Sequence, residues 1–150
     1  EIDSINLRAR QRMIDLVRAD LGEDLKGKKI AVLGAAFKPD SDDVRDSPAL
    51  DIAAQIHAAG ADVVVHDPKA IDNAKRRFPN LGFEIELDKC VAQSDAILHL
   101  TEWKSYREID PSKIKGLVKQ AIVIDGRNAL NRELWVSAGW KFRALGRATR

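Results

Sequence analysis

The chain has 150 residues, of which 45% are hydrophobic and 32% are charged, and this balance predicts one soluble globular domain rather than a disordered or collagen-like chain. Its 25 basic and 23 acidic residues are interleaved, so the net charge of +2 argues against a dedicated nucleic-acid surface. The single cysteine, Cys90, excludes an internal disulfide and a cysteine-based zinc site, and it favours a reducing, cytoplasmic location.

Neither a membrane span nor a secretory signal is predicted. No apolar run approaches the ~20 residues that a membrane-spanning helix needs. The amino terminus has neither the basic start nor the apolar stretch of a signal peptide. Because the chain opens without methionine and already inside a helical pattern, we expect it to be part of a longer protein.

Residues 1–21 have the pattern of one amphipathic helix. Apolar side chains recur there at spacings of three and four residues, namely Ile2, Ile5, Ala9, Met13, Leu16 and Val17. Gly22 is a typical stop signal, and residues 23–28 are polar. We therefore divide the chain into a helix with its linker, residues 1–26, and a domain, residues 27–150.

From residue 29 short apolar runs alternate with helical stretches. Runs that are apolar on both faces are typical of buried parallel strands, and they lie at residues 30–33, 63–65, 96–100 and 121–124, with a weaker one at 142–145. Helices are predicted at residues 48–59, 70–77, 111–119 and 131–138, three of them after a capping residue and a proline (Ser47-Pro48, Asp67-Pro68 and Asp110-Pro111). This alternation predicts an α/β fold, a Rossmann-like parallel sheet with helices on both faces, preceded by the amino-terminal helix.

The loops that follow these strands are expected to share one edge of the sheet, where such folds bind their ligands. After the first strand comes a charged loop, residues 38–46, where a connection of this kind usually takes ~2–6 residues. Lys38 and Arg45 lie in this loop, and Arg127 follows the fourth strand. Three cations at one edge predict an anionic ligand such as a diphosphate, although Arg127 could equally be a solvated loop residue.

Several other motifs predict no chemistry. Residues 22–29 imitate a phosphate-binding P-loop, but they precede the strand and carry two carboxylates and no Ser/Thr. The first strand ends in Gly34-Ala35-Ala36, so the Gly-x-Gly-x-x-Gly fingerprint is absent. We interpret Cys90 as a structural thiol on a short helix, the three histidines as packing residues and the three tryptophans as core aromatics. We predict no catalytic residue and no metal site.

Four motifs at the strand ends resemble a known family. The first is Gly-Ala-Ala-Phe-Lys-Pro-Asp-Ser-Asp-Asp-Val-Arg-Asp-Ser-Pro at residues 34–48, and the others are His66-Asp67-Pro68, Thr101-Glu102-Trp103 and Asp125-Gly126-Arg127-Asn128. In this order they resemble the carboxyl-terminal domain of the UDP-glucose/GDP-mannose dehydrogenase family, over roughly residues 27–146. The last two are more similar to the UDP-glucose branch, and the amino-terminal helix resembles the end of the family's central segment.

The resemblance implies the UDP-sugar-binding domain of an enzyme that oxidises UDP-glucose to UDP-glucuronate with two NAD. It implies that Phe37, Lys38 and Arg127 contact the UDP-sugar and that Arg45 contacts NAD. The NAD-binding domain and the catalytic cysteine of the family precede this segment, and Cys90 lacks the family's Gly-x-Cys context. We therefore expect this chain alone to be inactive, with amino-terminal and central domains as its partners in a homodimer.

Two alternatives stay open at this point. The chain could be the same domain of a dehydrogenase that acts on a UDP-N-acetyl-hexosamine, since the choice of sugar depends largely on residues outside it. It could also be a non-catalytic module for nucleotide binding or oligomerisation. An upstream Gly-x-Gly loop and a Gly-x-Cys motif in the parent protein would distinguish the enzyme from the module.

Overall fold

The structure, a computed structural model, describes residues 7–145 of the chain. Its centre is a parallel sheet of six strands in the order β3-β2-β1-β4-β5-β6. The strands are β1 (Lys29–Leu33), β2 (Asp62–His66), β3 (Gly82–Phe83), β4 (Ala96–His99), β5 (Ile122–Asp125) and β6 (Lys141–Ala144). The predicted Rossmann-like sheet is thus confirmed, with the order reversing between β1 and β4.

Seven helices accompany the sheet within residues 7–145. They are α1 (Leu7–Leu21), α2 (Pro48–Ala58), α3 (Ile71–Arg77), α4 (Leu87–Val91), α5 (Lys104–Arg107), α6 (Pro111–Lys115) and α7 (Arg132–Ser137). Right-handed crossovers place α2 and α3 on one face and the helices that follow β3 on the other. None of these helices is both long enough and apolar enough to cross a bilayer.

The structure corrects the predicted elements in three places. The sequence predicted neither β3 nor α5, and α6 ends at Lys115 rather than at residue 119. Ser47 and Asp110 cap α2 and α6 as predicted, each accepting a hydrogen bond from a backbone amide of its helix. Asp67 does not cap a helix, because α3 begins at Ile71 without a side-chain cap.

The core lies on both faces of the central strands. Ile30, Val32, Leu98 and Ile124 have no exposed surface, as expected for strands covered by helices on each side. Trp103, Trp135 and Trp140 are buried as well, which confirms their prediction as core aromatics.

Helix α1 packs against α2 and β5 and is part of this layered structure. Met13, Ile14 and Val17 form its buried stripe. Polar contacts fix both ends of the helix: Arg10 pairs with Asp51 at 3.0 Å, and Asp20 pairs with Lys141 at 3.0 Å and Arg143 at 2.9 Å. Ile2 and Ile5, which the sequence assigned to the same stripe, lie outside the described residues. The division of the chain at residue 26 stays a prediction.

Candidate functional site

The loop between β1 and α2 starts at the carboxyl edge of the sheet with Gly34. This glycine has a φ of +115°, and a Cβ there would lie 2.5 Å from the Cβ of Thr101, so that only glycine fits. The hydroxyl of Thr101 donates to the carbonyl of Ala36 at 2.9 Å. The loop is therefore drawn tightly against the end of β4.

Asp67 anchors the same loop from β2. Its buried carboxylate accepts five hydrogen bonds, from the backbone amides of Ala35 (2.8 Å), Ala36 (3.0 Å), Lys69 (2.9 Å) and Ala70 (2.8 Å) and from the indole of Trp103 (3.2 Å). A buried carboxylate is stable only when such donors surround it. The sequence missed this role because Asp67-Pro68 resembles a helix start.

The hydrogen bonds between this loop and Asp67 also limit where NAD could bind. In a dinucleotide-binding fold, the amides that follow β1 face the pyrophosphate. Here the amides of Ala35 and Ala36 already donate to Asp67 Oδ2. The turn after β1 therefore does not fit a dinucleotide, in agreement with the absent glycine fingerprint.

Most of the other motif residues in this loop fix the conformation of its backbone. The amide of Phe37 donates to the carbonyl of Asp43 at 2.7 Å and closes the loop on itself. Asp40 and Asp46 have φ angles of 63° and 54°, a left-handed region that aspartate tolerates better than most residues. The hydroxyl of Ser47 donates to the carbonyl of Ala35 at 2.7 Å and also caps α2.

The side chains of Phe37 and Lys38 have no such role. Phe37 exposes 43% of its surface, which is unusual for a large aromatic residue on a tightly bonded loop. Lys38 is exposed, and no hydrogen bond or ion pair of its side chain joins it to another described residue. A fixed loop that presents an aromatic ring beside an unpaired ammonium group is suited to bind a phosphorylated ligand.

Arg45 is held within the same loop. Its guanidinium donates two hydrogen bonds to Asp43, from Nε at 3.1 Å and from Nη2 at 3.0 Å. These hydrogen bonds lower the pKa of Asp43 to about 2. Arg45 also lines a cleft of about 430 Å³, which α3 completes with Asn73, Arg76 and Arg77.

Arg127 lies after β5 and pairs with Glu102, which follows β4. The guanidinium donates from Nε to Oε1 at 2.9 Å and from Nη2 to Oε2 at 3.1 Å. The two side chains are only 14% and 28% exposed. Burial raises the pKa of Glu102, but the hydrogen bonds from Arg127 more than offset this, so the pKa is lowered and the pair is ionic at neutral pH.

Asp125 positions the backbone of Arg127. Its buried carboxylate accepts hydrogen bonds from the amides of Arg127 (2.9 Å), Ala129 (2.8 Å) and Leu130 (2.8 Å), and His99 Nδ1 lies 2.8 Å from it. Burial raises the pKa of Asp125, and these hydrogen bonds lower it by more. Asn128 adopts a left-handed φ of 57°, which completes the turn.

The predicted site residues thus lie on two loops at the carboxyl edge of one sheet. Phe37, Lys38 and Arg45 share the loop after β1, and Arg127 lies on the loop after β5. Lys38 and Arg45 lie near Asp43, whereas Arg127 contacts Glu102. The sequence analysis did not select Glu102, although its place beside Thr101 in the third motif was a signal. Whether the cations meet one ligand stays a prediction.

Cys90, His66 and His99 are buried, as predicted for packing residues, whereas His57 is exposed on α2, which corrects its prediction. Cys90 is buried, and burial raises the pKa of its thiol to about 12, which confirms its prediction as a structural thiol. His66 is buried beside Tyr106, whose hydroxyl lies 2.7 Å from its Nδ1. Burial lowers the pKa of His66, so the ring stays neutral at physiological pH.

Comparison with known proteins agrees with this geometry. Residues 31–132 match the model of the UDP binding domain of the UDP-glucose/GDP-mannose dehydrogenase family. The UDP-glucose 6-dehydrogenase of Rhizobium meliloti (strain 1021) is 33% identical over 144 residues, which are 96% of this chain and 33% of that protein. UDP-glucose 6-dehydrogenase TuaD of Bacillus subtilis (strain 168) is 38% identical over 143 residues, 95% of this chain and 31% of that protein. The chain thus spans about a third of the length of these curated relatives.

Solved structures share the fold over nearly the whole chain. A UDP-glucose dehydrogenase from the archaeon Pyrobaculum islandicum aligns with a TM-score of 0.79 and 26% identity over 94% of this chain and 30% of its own. An NDP-N-acetyl-D-galactosaminuronic acid dehydrogenase from Methanosarcina mazei Go1 aligns with a TM-score of 0.79 and 29% identity, over 93% of this chain and 29% of its own.

Proposed function

Because the chain belongs to the UDP-glucose/GDP-mannose dehydrogenase family and is its UDP-binding domain, we propose that it binds the nucleotide sugar for a longer UDP-glucose 6-dehydrogenase. That enzyme oxidises UDP-glucose to UDP-glucuronate with two NAD, which are bound mainly by an amino-terminal domain outside this chain. The chain alone is inactive, and its role is to bind the diphosphate firmly so that the sugar is oriented for chemistry elsewhere.

The observation that carries this proposal is the pair of exposed residues on the loop after β1. Asp67 holds this loop through the amides of Ala35 and Ala36, so Phe37 and Lys38 are presented by a fixed backbone. The ammonium group of Lys38 supplies a charge-assisted donor for a phosphate oxygen. The ring of Phe37 supplies an apolar surface for the rest of the nucleotide.

Arg127 and Arg45 have the remaining roles in this proposal. The backbone of Arg127 is fixed by Asp125, and its guanidinium, which pairs with Glu102, contacts the UDP-sugar in this proposal. The side chain of Arg45 is exposed on the loop after β1 and contacts NAD across the cleft between domains. The nicotinamide cofactor supplies the hydride acceptor, and no described residue of this chain takes part in that chemistry. As a cytoplasmic homodimer, the longer enzyme includes amino-terminal and central domains as partners of this one.

Titration of the chain with UDP tests the proposal directly. We expect amide resonance shifts around Phe37 and Lys38 and around Arg127, with the rest of the sheet unchanged. A lost charge-assisted hydrogen bond is worth about 1.5–3 kcal/mol, so Lys38→Ala weakens UDP binding by about tenfold or more. Lys104→Ala is the matched control, because Lys104 is exposed on α5 and pairs only weakly with Glu108 at 3.8 Å.

Two results would contradict the proposal. Unchanged amides at millimolar UDP would show that this domain does not bind the nucleotide by itself. Equal weakening by Lys38→Ala and Lys104→Ala would show that a general positive field, and not the loop after β1, attracts the ligand.

A second candidate substrate is a UDP-N-acetyl-hexosamine. The observation that favours it is the alignment with the Methanosarcina mazei dehydrogenase, which is as good as that with the UDP-glucose dehydrogenase. Turnover of the longer enzyme on each nucleotide sugar distinguishes the two, and a preference of kcat/KM for UDP-glucose is the expected result.

A further inference from the structure

The cleft between the loop after β1 and helix α3 has three arginines in its walls. Arg45 comes from the loop, and Arg76 and Arg77 come from α3. The volume of the cleft, about 430 Å³, lies within the range of small-molecule sites, which is roughly 300–1,000 Å³. The proposed function assigns a role to Arg45 and none to the two arginines of α3.

Hydrogen bonds fix the two walls of this cleft relative to each other. Asn73 Nδ2 on α3 donates to the carbonyl of Asp42 in the loop at 2.9 Å. The loop is itself closed by the amide of Phe37, which donates to the carbonyl of Asp43 at 2.7 Å. A ligand that enters the cleft therefore meets walls that are already in place, which lowers the entropy cost of binding.

The two arginines of α3 are not neutralised by carboxylates. No hydrogen bond or ion pair joins the side chain of Arg77 to another residue in the described part of the chain. Nη1 of Arg76 donates to Oδ1 of Asn73, which is an uncharged amide oxygen. Of the five charged residues that line the cleft, three are positive and two are negative, so the lining has a net charge of +1.

The end of a helix is a common place for basic side chains, and this alone does not account for the arginines of the cleft. Lys75, Arg76 and Arg77 all lie in the last turn of α3, where a positive charge stabilises the helix dipole. Only the two arginines line the cleft, and both are exposed there. Guanidinium groups bind phosphate oxygens through parallel hydrogen bonds, which a lysine cannot make.

We propose that this cleft binds a phosphate or diphosphate group through Arg76 and Arg77, at a site separate from the one proposed for the nucleotide sugar. This goes beyond the proposed function, in which α3 has no role. Because Asp43 already holds the guanidinium of Arg45, the arginines of α3 are the principal donors to the anion.

Titration of the chain with pyrophosphate tests this site. Binding is followed by nuclear magnetic resonance at the backbone amides and arginine side-chain N–H groups of α3. We expect Arg76→Ala and Arg77→Ala each to weaken binding about fivefold or more, because each removes charge-assisted hydrogen bonds. Lys75→Ala is the matched control, since Lys75 has the same charge in the same turn but lies outside the cleft, and it leaves the affinity within about twofold.

Asp42→Asn is expected to increase the affinity, a result that damage to the fold cannot imitate. Asp42 is exposed and lines the cleft, so its charge opposes a bound anion. Its removal tightens pyrophosphate binding about threefold or more. Asp72→Asn is the control and leaves the affinity unchanged, because Asp72 is exposed on α3 but does not line the cleft.

A parallel titration with ADP distinguishes two sources of the phosphate group. If ADP binds more tightly than pyrophosphate and responds equally to Arg77→Ala, the cleft takes the phosphates of a nucleotide. If pyrophosphate binds more tightly, the cleft takes a free anion.

Three results would overturn the inference. They are unchanged α3 resonances at millimolar pyrophosphate, equal weakening by Arg77→Ala and Lys75→Ala, and loss of the pyrophosphate response in Lys38→Ala, which would show that the two sites are one. The proposed function has a different readout, since it predicts that Lys38→Ala weakens UDP binding and that Arg77→Ala does not. Failure of one is therefore distinguishable from failure of the other.

Discussion

Replacement of Asp67 by asparagine is expected to destabilise the domain by about 3 kcal/mol or more. The carboxylate accepts two hydrogen bonds at Oδ1, from Lys69 and Ala70, and three at Oδ2, from Ala35, Ala36 and Trp103. An asparagine amide can keep its oxygen on only one of these two sides. The least costly orientation still turns an NH2 group toward two backbone donors. At about 1.5 kcal/mol or more for each lost bond to a charged acceptor, the sum reaches about 3 kcal/mol.

Urea unfolding at neutral pH measures this loss. With a slope of about 2 kcal/mol per molar urea, the midpoint falls by about 1.5 M. Asp62→Asn is the matched control, because Asp62 is also on β2 but is exposed and makes no side-chain hydrogen bond or ion pair with the described residues. Hydrogen exchange supplies a local measurement, since the amides of Lys69 and Ala70 lose their acceptor only in the Asp67 variant.

The reasoning would be refuted by a loss below about 1 kcal/mol with an unchanged slope. It would also be refuted by unchanged protection of the Lys69 and Ala70 amides in Asp67→Asn. Either result would mean that the carboxylate of Asp67 stabilises the fold by less than its hydrogen bonds imply.

Two further predictions concern buried titratable groups. Burial raises the pKa of Asp125, and its hydrogen bonds lower the pKa by more, so the stability that the carboxylate contributes is complete above the ordinary pKa of aspartate and is lost as the pH falls through the lowered value. We therefore expect Asp125→Asn to lose less stability than the wild type when the pH is lowered below about 4. Equal losses of the two proteins in urea unfolding between neutral and acid pH would contradict this. Cys90, with its thiol pKa raised to about 12 by burial, reacts with an aromatic disulfide reagent only as fast as the chain unfolds, and rapid labelling of the native chain would show that the thiol is accessible.

The sequence predicted best the strands that can be recognised from their own residues, without knowledge of the strand they pair with. β1, β4 and β5 are continuous apolar runs, buried on both faces, and their bounds lie within one or two residues of the prediction. β3 consists of Gly82 and Phe83, and only their register with Val64 and Val65 makes them a strand. Two residues carry no periodicity, so no sequence pattern predicts them.

The end of helix α6 is another feature that the local sequence does not predict. The sequence has a helical pattern to Lys119, but the amide of Lys119 donates to the carbonyl of Ser94 at 2.9 Å, and the carbonyl of Leu117 accepts from Gln93 at 2.7 Å. Tertiary hydrogen bonds to another part of the chain therefore end the helix early. Local propensity does not contain this information.

The candidate site was predictable in its positions but not in its pairings. Strand ends of a parallel sheet share one edge, so the order of strands and loops along the chain is enough to place Lys38 and Arg127 there. Glu102 and Arg127 are separated by 25 residues, and they meet only because β4 and β5 are neighbours in the sheet. The local charge at Arg127 depends on this pairing. Because the sequence does not show the pairing, it suggested an unpaired cation there.

The buried aspartates explain why side chains must do the recognition in this domain. Asp67 accepts the first amides after β1, and Asp125 accepts three amides of the loop after β5. In a dinucleotide-binding sheet such amides bind the phosphates of the ligand, whereas here they donate hydrogen bonds to aspartates of the same domain. In the proposed function, recognition at these two strand ends is then left to the side chains of Phe37, Lys38 and Arg127. Because the side chains of Phe37 and Lys38 are exposed, we expect substitutions at these two positions to change ligand binding without loss of the sheet that presents them.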